Sequence, residues 1–583
     1  MNPLSSEIMV GIDFGTTHSG VSWAINEGQK KIRLITDWPN LGDSIANQDK
    51  VPSILSYKNG KVSNWGYEVS AKEESFRWIK ILLEPESKYA RTVQQVRESN
   101  SLLQKLNKTA EEVVSDYLRA IWRYTKEDIR KRVGDDDWED TFTVHVVLTV
   151  PAMWSHAARN KTLKAARDAN MPQSIKLVTE PEAAALATLR DKAEENALSR
   201  GDTFVVCDAG GGTVDLISYK VNQTNPLEIE ECAIGDGGLC GSIFLDTSFE
   251  QHICTLVGEK EYAEIKPIHK QRMMKMFELG VKRSFTLESN KDYSVDLRGV
   301  VDNYDEGIED DCITLKKSML RTVFDYVCGQ IDTLVQEQVN QVQDRGSKVK
   351  AILLVGGFGS SKYLHQRLER SYSSLDVKVL QVDGAWSAIC RGACMWGLDH
   401  TERSSINTRP RSKPTISSRI SKYSYGVSAA VPFDDNIHFW KDRVFYPHKN
   451  KHMANNQMRW LLRRGDTIAE GRVLDIQLFK SVHGVGFTSY GDRYFSQELL
   501  YSDEDEPPSR KDETVKELCS VIFSVPENKI WLEKSYKSSA APGKWRDMTF
   551  NIVVMLGSAT LDFFVEYRGE PVGHVEATYM ETF

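Results

Sequence analysis

Two aspartates in this sequence are followed by the same short string of small residues. Asp13 closes the apolar run Ile8–Ile12 and leads into Gly15-Thr16-Thr17, while Asp208 closes Thr203–Cys207 and leads into Gly210-Gly211-Gly212-Thr213. In both places a second run of apolar and small residues resumes at once, which predicts strand, hairpin tip, strand. Glycine lets the backbone come close to a ligand, and hydroxyls beside exposed N–H groups suit phosphate oxygens. An aspartate at the strand end can face a metal ion beside those phosphates. One such segment is an ordinary hairpin in a sheet; two of them suggest paired jaws.

Other residues can join that chemistry, each with a plainer alternative. Lys80 lies in the apolar run Phe76–Leu83, where a lysine either snorkels to the surface or offsets negative charge on a γ-phosphate and its attacking water. Glu180 precedes Pro181, which marks a helix start with proline at the first helical position. Its carboxylate either caps that helix or holds a magnesium-bound water. The glycine-dense stretch 233–242, which contains Gly238, fits a helix start next to an anion. Lys282 and Arg283 lie on a helical stretch as a solvated face or as a stack for a purine. Finally, the buried strand 348–355 runs into Gly356 and Gly357, where an adenosine can lie flat on the backbone.

The elements that must position these groups alternate between strand and helix. Positions 108–133 carry Val113, Tyr117, Ile121 and Ile129 as one helical stripe. Val144–Pro151 reads as a buried strand, 155–169 as a helix and 175–178 as a further strand. The chain has 583 residues with 40% apolar and 27% charged, enough for several cores. Its net charge of −8 argues against a nucleic-acid partner. No apolar run is long enough to span a bilayer, and no signal-like segment precedes the first strand. The nine cysteines are scattered, so reduced thiols in the cytoplasm, or the nucleus, are expected. Cys390 and Cys394, at helical spacing without a further pair, are expected to pack and not to bind metal.

Two such hairpins facing one cleft resemble the actin-like ATPase superfamily. Taken with Val150-Pro151-Ala152, Glu180-Pro181 and Val355-Gly356-Gly357 in this order, they resemble the seventy-kilodalton heat-shock chaperone superfamily, over Val10 to about Leu398. The branch is a divergent one with an altered C-terminal half. The resemblance implies an α/β fold of two lobes on ribonuclease-H-like sheets, closing over ATP or ADP with Mg2+, followed by a C-terminal β-rich domain. It implies that Asp13 and Asp208 order the metal through water and that Glu180 acts through a metal-bound water. Gly15, Thr16, Thr17 and Gly210 to Thr213 would hold the phosphates, and Thr213 and Lys80 the attacking water. Gly238 falls in the nucleotide-binding set, and Lys282, Arg283, Thr286, Gly356 and Gly357 would cover the adenosine. Pro151 and Arg159 match the pair that passes nucleotide state to the second domain.

The sequence also departs from that pattern. His18 replaces a tyrosine, Cys240-Gly241-Ser242-Ile243 replaces a stretch with two acidic residues, and Phe358, Ser360 and Trp386 stand where serine, arginine and aspartate are usual. The hydrolytic groups are kept and the nucleoside end is rewritten, which supports nucleotide binding more directly than turnover.

The expected organisation is a nucleotide-binding domain over 7–398, a polar linker over 399–420 and a β-rich domain over 421–583. The linker's Arg409-Pro-Arg-Ser-Lys cluster reads as a solvated linker or a targeting signal. Strands are expected at 423–431, 474–482, 521–524, 549–555 and 560–567, with a strand and turn over 458–468 and with 503–513 as a mobile, solvated loop. The residues after 567 are too few for a helical lid, so a peptide would add at a sheet edge or groove. Three functions fit: a chaperone-like ATPase acting on polypeptide clients or regulatory proteins, a nucleotide-regulated binding or scaffold protein with little turnover, and, with less support, a carbohydrate kinase.

Overall fold

The structure, a computed structural model, describes residues 6–42, 47–70, 72–84, 94–195, 198–381, 384–401, 416–486, 491–557, 559 and 561–575. The chain divides into two compact units, residues 1–416 and 417–583.

In the first unit the strand Ser6–Asp13 pairs antiparallel with His18–Ile25 and parallel with Phe142–Val150. The strands Arg33–Leu34 and Lys176–Thr179 complete the order Arg33–Leu34, His18–Ile25, Ser6–Asp13, Phe142–Val150, Lys176–Thr179. A second sheet repeats this arrangement. Thr203–Ala209 pairs antiparallel with Val214–Thr224 and parallel with Val349–Val355, flanked by Leu227–Gly238 and Lys378–Gln381. The parallel strands are near-continuous apolar runs because both of their faces are covered.

Helices fill the space around these sheets. Glu180–Glu194 and Ala388–Thr401 share a core with Phe204, Val206, Ile217 and Tyr219 of the second sheet and Met9 and Val147 of the first. Ile243–Val257 and Lys317–Asp344 cover the second sheet's other face. The helical stripe read at 108–133 is the helix Ala110–Val133, whose start is fixed by a reciprocal capping box between Thr109 and Glu112. Among the described residues no helix is long and apolar enough to cross a membrane.

The second unit is built from two antiparallel sheets. One runs Arg443–Tyr446, Lys451–Leu462, Ser424–Pro432, Asp492–Ser502, Lys516–Pro526, and the other Val473–His483, Trp545–Leu556, Leu561–Tyr567, Glu570–Val575. Val427, Leu499 and Phe523 of the first meet Leu478, Phe550 and Phe563 of the second in one core, as expected of a sandwich. The strands Arg443–Tyr446, Asp492–Ser502 and Glu570–Val575 add to those read from the sequence.

The stretch 503–513 is not a free loop. Its Pro508 carbonyl accepts from the Trp460 indole at 2.8 Å, its Ser509 carbonyl accepts from Met458 N–H at 2.8 Å, and its Arg510 pairs with the buried Asp442 at 2.5 Å. Of the expected linker, 402–415, including Arg409, lie outside the described residues; 399–401 end a helix and Ile416–Ile420 is a strand.

Candidate functional site

A cavity of about 490 Å³ opens between the two lobes of the first unit, within the usual range for a small-molecule pocket. Both hairpin tips line it, and the tips face each other closely. A methyl group on Gly211 would fall 2.4 Å from Thr17 Oγ1, and one on Gly212 would fall 2.7 Å from Thr16 Oγ1. Only glycine leaves room there. At the first tip a methyl on Gly15 would lie 2.1 Å from the His18 carbonyl oxygen. The turn is pinned from outside by Ser53, whose hydroxyl donates to the Gly15 carbonyl at 2.7 Å.

The floor of the cavity is a cluster of buried charges. Asp13, Glu180 and Asp208 line the cavity with Lys50 and Lys80, Asp215 stands behind them, and all four carboxylates are 5% exposed or less. The Lys80 ammonium pairs with Glu180 and stands 5.4 Å from the Trp154 ring and 5.9 Å from the Phe14 ring. It does not snorkel: a five-residue 3-10 turn, Ile79–Leu83, points it inward. Glu180 is the first residue of its helix, and Pro181 comes second, one place later than the sequence suggested.

Burial pushes the Glu180 carboxyl up to about 7 against the pull of Lys80, with Asp13 and Asp215 adding to the rise. Asp208 is held well above the ordinary carboxylate range by burial and then by Glu180, Asp215 and Asp13. Its Oδ1 is buried and has no hydrogen-bond partner among the described residues. Four buried carboxylates outnumber two lysines, and one carboxylate oxygen is orphaned. Such a cluster fits a divalent cation, which would relieve the crowding. Among the described residues no group of three or more His, Cys, Asp and Glu is arranged to hold a metal directly; water-mediated contacts from Asp13, Asp208 and Glu180 are the form that fits.

The sequence reading passed over Lys50. It lies in a polar stretch without a motif, yet its ammonium is 2.5 Å from Asp13 Oδ2, and the residue is 5% exposed. Burial opposes its charge, but Asp13 and, more weakly, Asp208 hold the ammonium above its ordinary range.

Lys282, Arg283, Gly356, Gly357 and Trp386 also line the cavity. Lys282 Nζ donates to both oxygens of Asp246 at 2.8 Å, so its ammonium is engaged and its stem is left to face the cavity. A five-residue π-helical turn, Phe277–Val281, precedes the pair; such turns recur at functional sites. Gly356, with φ at +79°, lies against the second hairpin, where a methyl would come within 2.4 Å of Asp208 Oδ1. Gly356 thus borders the carboxylate cluster directly. Gly356–Gly359 forms one helical turn where a glycine turn was expected. Trp386 meets His18 edge-on, ring centroids 5.8 Å apart. Burial, followed by Lys50, Arg283 and Lys282, lowers His18 to about 4.

Two residues of the expected set do not line the cavity. Gly238 ends its strand facing the helix Lys317–Asp344, where a methyl would meet Leu334 Cδ1 at 2.9 Å. Thr286 lies beyond the short helix that carries Lys282 and Arg283. The helix start after 242 is likewise no open anion site. The N–H groups of Gly241, Ser242 and Ile243 donate to the carbonyls of Gly212, Gly210 and Gly211 at 2.9 to 3.2 Å, so they brace the hairpin tip. Behind the cluster, Asp215 Oδ1 accepts from Met153 N–H at 3.2 Å, and Arg159 donates to the Ala152 carbonyl at 2.7 Å. The Pro151 segment is thereby joined to the cavity floor.

Residues 9–397 match the family model described as Hsp70 protein, and residues 419–581 match one described as a domain of unknown function, DUF8568. Similar proteins include Heat shock 70 kDa protein 12B of Homo sapiens, 22% identical over 67% of this chain and 69% of that one. Heat shock 70 kDa protein 12A of Mus musculus is 23% identical over the same shares, 67% and 69%. Chaperone protein DnaK of Mycoplasma mycoides is 25% identical over 61% of this chain and 53% of that one.

Proposed function

The chain belongs to the Hsp70 protein family, and from that premise we propose that it is an ATP-binding, heat-shock-chaperone-like protein, a magnesium-dependent ATPase coupling nucleotide state to protein or peptide binding. The observation that carries the reading is the meeting of Thr16 and Thr17 with Gly211 and Gly212 over a floor of buried carboxylates.

In this reading the amides and hydroxyls of Gly15 to Thr17 and Gly211 to Thr213 grip the β- and γ-phosphates, while Gly210, whose N–H donates to the Thr213 carbonyl at 2.9 Å, closes the second turn around them. Lys80, fixed by Glu180, and Thr213 hold the water that attacks the γ-phosphate, giving ADP and phosphate. Bound magnesium would supply positive charge beside the phosphate oxygens, held through water by Asp13, Asp208 and Glu180. Lys282, Arg283, Gly356 and Gly357 cover the adenosine. Polypeptide clients or regulatory proteins would engage the β-sandwich unit, in the cytoplasm or nucleus.

A second reading, a nucleotide-regulated binding or scaffold protein with little turnover, is favoured by Lys50, which already occupies one oxygen of Asp13. ATP hydrolysis by the wild type, Asp208→Ala and Thr213→Ala decides between them. The first reading expects a fall of about a hundredfold or more in the variants; a wild type no faster than they are leaves the second.

A further inference from the structure

Lys50 is a lysine in an expensive place. It sits away from solvent on the cavity floor, and a buried ammonium persists only with compensation. Asp13 supplies one partner at 2.5 Å, but an ammonium carries three donors. Asp13 is that ammonium's one hydrogen-bond partner among the described residues, and Lys50 lines the cavity together with Asp208 and the tip of the first hairpin.

The residue is held rigidly. Val51 and Pro52, which follow it, pair with Ser19 and His18 at the start of the first hairpin's second strand, next to the tip. Its carbonyl accepts from the Tyr67 hydroxyl at 3.0 Å, and its stem lies over Gly20, where a methyl would come within 3.1 Å of Lys50 Cγ. A purely structural partner for Asp13 would need neither a place in the cavity lining nor this fixed approach to the hairpin that would grip phosphate.

We propose that Lys50 is a phosphate-binding residue of this cleft, a cation built into the chain that supplies part of the charge a divalent metal supplies. The inference rests on the nucleotide reading above. A charge-assisted hydrogen bond from a preorganised ammonium to a phosphate oxygen is strong in a secluded site. The cleft therefore retains a diphosphate tail when metal is withdrawn, and loses that ability with the lysine.

The test is ADP binding by the full chain, measured by calorimetry in magnesium and again in excess EDTA, for wild type, Lys50→Met and Lys50→Arg. The expected wild-type loss on removing metal is about tenfold or less, the expected Lys50→Met loss about a hundredfold or more, and Lys50→Arg should stay near wild type. The magnesium concentration for half-maximal binding should rise in Lys50→Met, which a merely structural role would not produce. Equal metal dependence in wild type and Lys50→Met overturns the proposal. If the methionine variant does not fold, a wild type that loses ADP completely in EDTA overturns it equally. A wild type that binds no ADP even with magnesium removes the nucleotide reading itself, a different result from either.

Discussion

The indole N–H of Trp396 donates to Oε1 of Glu182 at 3.0 Å, tying the helix Ala388–Thr401 to the helix that begins at Glu180. The two helices touch through their smallest residues. A methyl on Gly392 would fall 1.7 Å from the Ala183 carbonyl oxygen, and backbone cannot give way as a side chain can. Gly392→Ala must push the helices apart and move Glu180 with them. The expected cost is about 1–3 kcal/mol or more, read as a lower melting temperature with weaker nucleotide binding. Trp396→Phe, which removes one hydrogen bond, should cost about 1 kcal/mol. Wild-type stability in Gly392→Ala would mean that the helices are not packed this closely.

The Glu180 carboxyl, raised by burial to about 7, gives a pH dependence with a definite sign. The folded state holds this proton more tightly than the unfolded chain, so the associated stability is fully present below about pH 4.5 and is lost as pH rises through about 7. Glu180→Gln mimics the protonated form. Its denaturation midpoint should match wild type near pH 5 and exceed it near pH 8, by on the order of 2 kcal/mol. A difference that is flat with pH would rule out this account of Glu180.

Trp386 lines the cavity next to His18. Base-on-aromatic stacking contributes about 1–3 kcal/mol per base, so Trp386→Ala should weaken ADP binding about tenfold. Tripolyphosphate, which has no base, should bind both proteins alike. Equal weakening for the two ligands would place Trp386 in a structural role.

In the second unit, Arg510 ties 503–513 to the buried Asp442 of the short turn Trp440–Asp442. Arg510→Met leaves Asp442 buried without its cation. Discounted for the partial exposure of the arginine, the expected loss is on the order of 2 kcal/mol. Limited proteolysis should then cut the acidic stretch in the variant before the wild type. Identical cleavage would show that the remaining contacts, among them those of Trp460, Met458 and Asn456, hold it without the ion pair.

What the sequence disclosed was local. Asp13 and Asp208 stand beside the glycines and threonines that explain them, so their hairpins could be read without a partner in view. Lys50 could not, because its meaning comes from Asp13, thirty-seven residues away in the chain. Gly238 was misplaced for the converse reason. Its neighbours are the glycines of a turn, but its strand runs on to Gly238 and faces Leu334. The acidic, proline-bearing stretch at 503–513 has the composition of a free loop, and only the fold brings Trp460 and Asp442 to it. The strand Asp492–Ser502 was hidden by a break in register between Leu499 and Leu500, which spoils its alternation.

The repeated strand order gives the cleft a pseudo-dyad, with Asp13 and Asp208 at equivalent corners. Lys50 breaks that equivalence: one carboxylate has an ammonium in contact, while its counterpart keeps an orphaned oxygen. The molecule thus carries its own internal control, two copies of one device in unlike fields. Exchanging their surroundings, and not merely deleting either aspartate, is how the division of labour between the halves becomes measurable.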